Sequence, residues 1–152
     1  MGLLLATLLA ATPLPALSLQ APSALGCGTP SLLRAGAWLA LEGGPSGLCA
    51  TALFAAHLED GAADVVVLVQ AAHRFDAEIR TRLFIYRLEG ARLVPRFLGS
   101  GFSAVDVVGA ERIAGAPLDS LRVWTAARGA PGSARVALRC GLVHFPLQCE
   151  VE

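Results

Sequence analysis

Short apolar runs, separated by Gly, Pro and polar residues, recur along the chain after its N-terminal stretch. Helical periodicity is hard to find there, whereas short runs bounded by turn residues are typical of strands. The pattern predicts strands at Val65–Gln70, Arg82–Leu88, Arg92–Leu98, Leu121–Ala126, Arg135–Cys140 and Phe145–Val151. Two Ala- or Val-rich stretches without helix caps, Ala50–Leu58 and Phe102–Ile113, are ambiguous, and we predict strands for both.

The predicted strands differ in how many of their faces are apolar. Val65–Val69 and Leu83–Tyr86 are apolar on both faces, which indicates a sheet that is covered on both sides. Arg135–Cys140 alternates instead, with its arginines on one face and apolar residues on the other. We therefore expect a middle sheet packed between neighbours and a C-terminal sheet with one face in water.

The chain contains a weak internal repeat. The segment "HLEDGAADVVVLVQ" from His57 aligns with "RIAGAPLDSLRVWTA" from Arg112, and a third, truncated copy begins at Trp38. In both full copies an aspartate, Asp64 or Asp119, stands just before an apolar strand. The two full copies are displaced by about 55 residues. Repeats of this length with four short strands each are typical of stacked sheets or propeller blades. The sequence predicts a mainly β domain of antiparallel sheets, built from two to three imperfect blade-like repeats as a partial propeller or a sandwich-like stack.

At these residues the chain resembles the FG-GAP or VCBS-type repeats of secreted and cell-surface β-propellers. Their turn is an Asp-rich calcium loop that ends in "DG-x-x-D" before an apolar strand, and Asp60, Gly61 and Asp64 match that ending. The two earlier ligand positions of the family fall on Ala56 and Leu58, which carry no side-chain oxygen. The resemblance implies a β-repeat scaffold and a protein or glycan partner.

Asp60 and Asp64 are the candidate metal ligands of this turn. Calcium binds about six to eight oxygen atoms, and two aspartates helped by Glu59 supply too few of them. We therefore predict a structural role, in which Asp64 accepts hydrogen bonds from nearby backbone amides before its strand begins. No metal or other cofactor is predicted.

The N-terminal stretch has the order of a secretory signal segment. An apolar run from Leu3 to Ala11 is followed by Pro13 and Pro15 and then by small residues, which predicts cleavage after Ser18. No Lys or Arg precedes the run, so a retained membrane anchor or a buried N-terminal helix stays open as an alternative. The prediction is a signal peptide at residues 1–18 and a single β-repeat domain at residues 19–152, secreted or periplasmic.

Cysteine usage agrees with export, because an oxidising compartment lets an even set of cysteines pair. Cys27, Cys49, Cys140 and Cys149 allow three pairings, of which we favour the near neighbours, Cys27 with Cys49 and Cys140 with Cys149. The spacings include no C-x-x-C, which disfavours a zinc site. The repeat alignment conflicts with the second pair, because it places a turn near Cys140 and Gly141.

The charges and motifs exclude several classes of function. Twelve basic residues balance twelve acidic ones, which disfavours a nucleic-acid partner. A membrane partner is expected only if the N-terminal segment is retained. No Gly-rich phosphate loop and no G-x-S-x-G elbow is present. Trp38, Trp124 and Tyr86 could line a ligand groove, but aromatic residues on strands are usually part of the core, where we expect them.

The best cluster of candidate catalytic residues is His73, Asp76 and Glu78. A histidine and two carboxylates can carry acid–base chemistry, but in this position a solvated hairpin loop is the favoured interpretation. The leading hypothesis is therefore a non-catalytic binding or assembly module built of β repeats. The alternatives are a small secreted hydrolase or accessory subunit that uses the His73–Glu78 loop, and a membrane-tethered envelope component.

Overall fold

The computed structural model describes residues 13–19, 32–35, 37–40, 49–59, 62–73, 76–90, 92–99, 102, 104–130, 132–142 and 147–152. Apart from a single 3₁₀-type residue, Phe102, the regular secondary structure in these ranges is all strand. The strands are β1 (Leu17–Leu19), β2 (Leu32–Ala35), β3 (Ala37–Ala40), β4 (Cys49–Ala56), β5 (Asp64–His73), β6 (Asp76–Glu89), β7 (Arg92–Leu98), β8 (Val105–Ile113), β9 (Ser120–Ala127), β10 (Val136–Leu142) and β11 (Leu147–Val151).

The strands form three antiparallel sheets in which neighbours along the chain are neighbours in space. The N-terminal sheet has the order β1-β2-β3, the middle sheet β4-β5-β6-β7 and the outer sheet β8-β9-β10-β11. The mainly β fold predicted from the sequence is confirmed. The middle and outer sheets are meanders with the same strand order, and both copies of the aligned repeat lie at their first turn.

The main core lies between the middle and outer sheets. Residues of alternate positions on the facing strands are buried there: Val66, Leu68, Leu83, Ile85 and Phe97 from the middle sheet, and Val107, Leu121, Val123, Cys140 and Leu142 from the outer sheet. Burying an aliphatic side chain of this size contributes roughly 1.5–3 kcal/mol relative to leaving it exposed. This contact holds the two meanders face to face.

A second apolar cluster covers the opposite face of the middle sheet. It contains Val65, Val67, Phe84 and Tyr86, with Leu17 of β1 packed against it. Successive residues of β5 and β6 therefore point into two different cores, which is why both strands read as unbroken apolar runs. The expectation of a middle sheet covered on both faces is confirmed.

The other face of the outer sheet is exposed and charged. Glu111, Arg122, Arg139 and Glu150 lie in register across β8, β9, β10 and β11. We call this set the charged row. Arg122 donates from Nη1 to Glu111 Oε1 at 2.7 Å, and Arg139 is 57% exposed at its side chain. The expected solvent-facing side of the C-terminal sheet is confirmed.

Trp124 also lies on this exposed face, so its expected place in the core is wrong. It alternates along β9 with Leu121 and Val123, which point into the main core. Its ring lies beside Gly109, where a Cβ atom would come within 3.4 Å of the indole Cε3. The absence of a side chain at Gly109 thus leaves room for the indole on the sheet surface.

Gly99 ends β7 and turns the chain from the middle sheet toward the outer sheet. Its φ of 81° is in the left-handed region that favours glycine. A Cβ atom at this position would stand 3.5 Å from the carbonyl oxygen of Leu83 on β6. Strand β7 pairs with β6 only between Phe84 and Glu89, and the N-terminal half of β6 extends past it.

The structure contains the predicted disulfide between Cys140 and Cys149, which are direct partners across β10 and β11. The turn that the repeat alignment placed near Cys140 and Gly141 is wrong, because both residues lie inside β10. The cross-strand pairing that places Cys140 opposite Cys149 is therefore the observed register. Cys27 lies outside the described residues, so its pairing with Cys49 stays a prediction.

The predicted signal segment is described only from Pro13 onward. Leu17 and Ser18 belong to β1 and pair with Ala35 and Arg34 of β2. A cut after Ser18 would therefore remove two of the three residues of β1. Cleavage itself stays a prediction.

Candidate functional site

Asp64, a predicted turn aspartate and candidate metal ligand, is fully buried at the start of β5. Its Oδ2 accepts a hydrogen bond from the backbone amide of Leu58 at 3.3 Å, as the predicted structural role requires. Its Oδ1 lies 3.7 Å from Nε of Arg87. Burial raises the pKa of the Asp64 carboxyl above its usual range, although the Arg87 charge and the Leu58 amide oppose that shift. Asp60 lies outside the described residues.

Glu59 completes a charge-balanced group beside Asp64. Its carboxylate accepts from Arg87 Nη2, and from Arg96 Nη2 at 2.6 and 2.7 Å. Two guanidinium groups thus neutralise two carboxylates at the first turn of the middle sheet. Arg87 Nε stands 3.7 Å from Asp64 Oδ1, so the two turn carboxylates share this arginine, and we interpret the group as structural.

Asp119 has the equivalent place in the outer sheet and joins the two repeats. Its Oδ2 accepts from the backbone amide of His57 at 2.9 Å, and its Oδ1 accepts from the amide of Gly115 at 3.1 Å. The amide of Asp119 in turn donates to the carbonyl oxygen of His57 at 2.8 Å. The first turns of the two meanders are therefore hydrogen-bonded to each other.

The predicted catalytic candidates lie at the opposite end of the middle sheet. His73 and Asp76 are backbone partners across the β5–β6 hairpin, as the interpretation of this segment as a hairpin loop requires. Their side chains lie outside the described residues, so their proximity to Glu78 stays a prediction. Glu78 is exposed, and its Oε2 accepts from Arg128 Nη2 at 3.0 Å. This ion pair connects the hairpin to the turn after β9.

Beside this hairpin, an open cleft of about 500 Å³ separates β6 from β8. We call it the hairpin cleft. Four consecutive residues of β6 and three of β8 line it, together with one residue from β5 and one just before β10: Gln70, Glu78, Ile79, Arg80, Thr81, Asp106, Val107, Val108 and Arg135. The cleft therefore runs along the two strands rather than forming a round pocket.

A largely buried ion pair joins the β6 side of the hairpin cleft to its β8 side. Arg80 Nη1 lies 3.3 Å from Asp106 Oδ1 and donates to the carbonyl oxygen of Val105 at 3.5 Å. Asp106 Oδ2 also accepts from the backbone amide of Gly129 at 3.0 Å. Both side chains are largely buried, so their positions are restrained by bonds within the fold. The pair holds β8 and the β9–β10 turn against the middle sheet.

Arg135 and Ile79 line the cleft and are exposed to solvent. Arg135 is exposed and forms no ion pair with any residue that the structure describes. Ile79 is 73% exposed, which is unusual for a large aliphatic residue on a strand. The opening of the cleft therefore combines a charged side chain with an apolar one.

Sequence reasoning found Glu78 but missed Arg80, Asp106 and Arg135. Arg80 and Asp106 are 26 positions apart in sequence and meet only because two sheets stack. Arg135 was recognised only as a residue on the polar face of a strand. The strand predicted from Arg82 begins six residues earlier, at Asp76, and this polar extension supplies the β6 side of the cleft.

Among the residues that the structure describes, no group of three or more His, Cys, Asp or Glu side chains is arranged to hold a metal ion. Within the same ranges, no helix has the length and hydrophobicity needed to cross a membrane. Comparisons with protein-family models, curated proteins and solved structures found no match to the chain.

Proposed function

We propose that the protein is a secreted or periplasmic, non-catalytic binding or assembly module that holds its partner at the hairpin cleft. The observation that carries the proposal is the cleft itself, in which Ile79 and Arg135 are open to solvent beside the largely buried Arg80–Asp106 ion pair. Rigid β scaffolds commonly place binding surfaces at their loop ends. The resemblance to FG-GAP or VCBS-type repeats supports a protein or glycan partner.

Two features support export. The Cys140–Cys149 disulfide is compatible with an oxidising compartment, and the N-terminal sequence has the order of a signal segment. Intact mass of the exported protein tests this part of the proposal. The expected mass is that of a chain without residues 1–18 and with four hydrogens fewer than the reduced form, as two disulfides require. The mass of an uncleaved chain, or of a chain with an added lipid, would favour the membrane-tethered alternative.

The hydrolase alternative rests on Glu78, which lines the hairpin cleft and belongs to the predicted set with His73 and Asp76. In the proposed module the Glu78 carboxylate instead pairs with Arg128 and holds the hairpin to the outer sheet. A panel of chromogenic ester, peptide and glycoside substrates distinguishes the two functions. The wild type should show no turnover above a His73→Ala, Asp76→Ala, Glu78→Ala variant, and turnover that this variant loses would overturn the proposal.

A further inference from the structure

The shape of the hairpin cleft suits an extended chain. The run from Glu78 to Thr81 lies within β6, and the facing run from Asp106 to Val108 lies within β8, whose pairing with β9 shifts register between Val107 and Gly109. Four residues of strand extend roughly 10–13 Å at about 3.3 Å per residue. A trough of that length between two strands accommodates about four residues of an extended peptide.

The charge of the cleft favours a partner with an acidic group. Of the charged residues that line it, Arg80 and Asp106 are paired with each other, and Glu78 is paired with Arg128. Arg135 is the lining residue whose charge no described side chain neutralises. A carboxylate is the natural ligand for such a guanidinium, because the two can form paired, charge-assisted hydrogen bonds.

The apolar surface of the cleft favours an aliphatic neighbour for that acidic group. Ile79 and Val108 line the cleft with accessible aliphatic side chains, whereas Val107, which also lines it, is only 2% exposed. None of the described lining residues is aromatic. Sugars usually stack on aromatic rings, whereas aliphatic side chains of a peptide pack well against Ile and Val. The described surface therefore fits a peptide better than a glycan.

We propose that the hairpin cleft binds an extended segment of a partner protein in which an acidic side chain stands next to a Val, Ile or Leu. The acidic group pairs with Arg135, and the aliphatic group covers Ile79. This inference rests on the proposed binding function and names the class of its partner.

Selection from a random dodecapeptide phage library tests it, with the exported, oxidised full chain immobilised as the bait. Sequences with Asp or Glu beside an aliphatic residue should be enriched. The best such peptide, measured by calorimetry, should bind an Arg135→Glu variant roughly ten- to a hundredfold more weakly, because a charged hydrogen-bonded contact is lost and repulsion replaces it. Ile79→Ser should weaken binding roughly tenfold.

A charge exchange separates binding from folding. A peptide with Lys in place of the acidic residue should bind the Arg135→Glu variant better than it binds the wild type, an outcome that a misfolded variant cannot produce. Arg92→Glu is the matched control, because Arg92 is exposed at the turn end of β7 and should leave binding unchanged.

The remaining outcomes overturn the inference in distinguishable ways. Absence of acidic–aliphatic enrichment, or equal affinity of wild type and Arg135→Glu, would contradict the peptide partner. Binding of cellohexaose or chitohexaose that Arg135→Glu abolishes would contradict it too, but would leave the binding function in place. Turnover that depends on His73, Asp76 and Glu78 would remove the binding function itself.

Discussion

At the scale of single residues, the two repeat-related aspartates have the same task. Asp64 and Asp119 each stand at the start of the second strand of a meander and accept backbone amide hydrogen bonds from the preceding turn. A short carboxylate suits this position because it reaches amides of its own turn without disturbing the following strand. The residue that resembled a calcium ligand in the sequence therefore organises the turn directly.

The raised pKa of Asp64 has a consequence for stability against pH. Because the folded state binds this proton more tightly than the unfolded chain does, Asp64 contributes stability at low pH that is lost as pH rises through its folded pKa. Asp64→Asn removes the titration. The difference between the urea midpoints of the wild type and the variant should become smaller, or more negative, as the pH is raised from about 4 to about 7. A difference that stays constant or rises with pH would contradict the assignment.

At the scale of elements, the strands could be predicted from the sequence, but the contacts between sheets could not. The apolar run at Val65–Val69 and the alternation after Arg135 each follow from local side-chain patterning, which determines how many faces a strand buries. The bond between His57 and Asp119 depends instead on how two meanders stack. The hairpin cleft also depends on the stacking of the two sheets, because its two sides come from β6 of the middle sheet and β8 of the outer sheet.

The link between the two first turns should be measurable. Asp119→Ala removes the acceptor of the His57 and Gly115 amides and should lower the free energy of unfolding by about 1–3 kcal/mol. Urea unfolding measures the loss. Glu89→Ala, at an exposed position beside the β6–β7 turn, is the control and should change stability by less than about 0.5 kcal/mol. Equal effects of the two changes would show that the link contributes little.

The contact between the middle and outer sheets should contribute strongly to the free energy of unfolding. Leu68 lies in the main core and is only 7% exposed. Leu68→Ala should cost about 2–5 kcal/mol, through lost burial and the cavity it leaves. Ile79→Ala removes the same kind of side chain from an exposed site and should cost less than about 0.5 kcal/mol. Calorimetric unfolding of both variants would test the contact, and a mild effect of Leu68→Ala would contradict it.

At the scale of the whole molecule, the stack presents different surfaces at its outer face and at its hairpin end. The charged row crosses the whole outer sheet, with Arg122 hydrogen-bonded to both Glu111 and Glu152. A second copy placed directly over this face in register would oppose like charges, Glu to Glu and Arg to Arg. We interpret the row as a polar cap of the kind that ends a stack of β repeats.

Removing that cap should promote self-association. A variant with Val in place of Glu111, Arg122 and Arg139 exposes an apolar strip on a flat sheet face. Sedimentation equilibrium should show a higher average mass for this variant than for the wild type at the same concentration. Glu89→Val with Arg92→Val, at the exposed β6–β7 turn, is the control. An unchanged mass for the charged-row variant would show that the row does not limit stacking.

The central claim is that the working surface is the hairpin cleft rather than the exposed face of the outer sheet. Methyl-labelled protein, titrated with the selected acidic–aliphatic peptide and followed by NMR, tests it most directly. The methyl signals of Ile79 and Val108 should shift in proportion to occupancy, while those of Leu83 and Leu121 in the main core stay in place. Shifts concentrated instead at Ala137 and around Trp124, on the exposed face, would contradict the account.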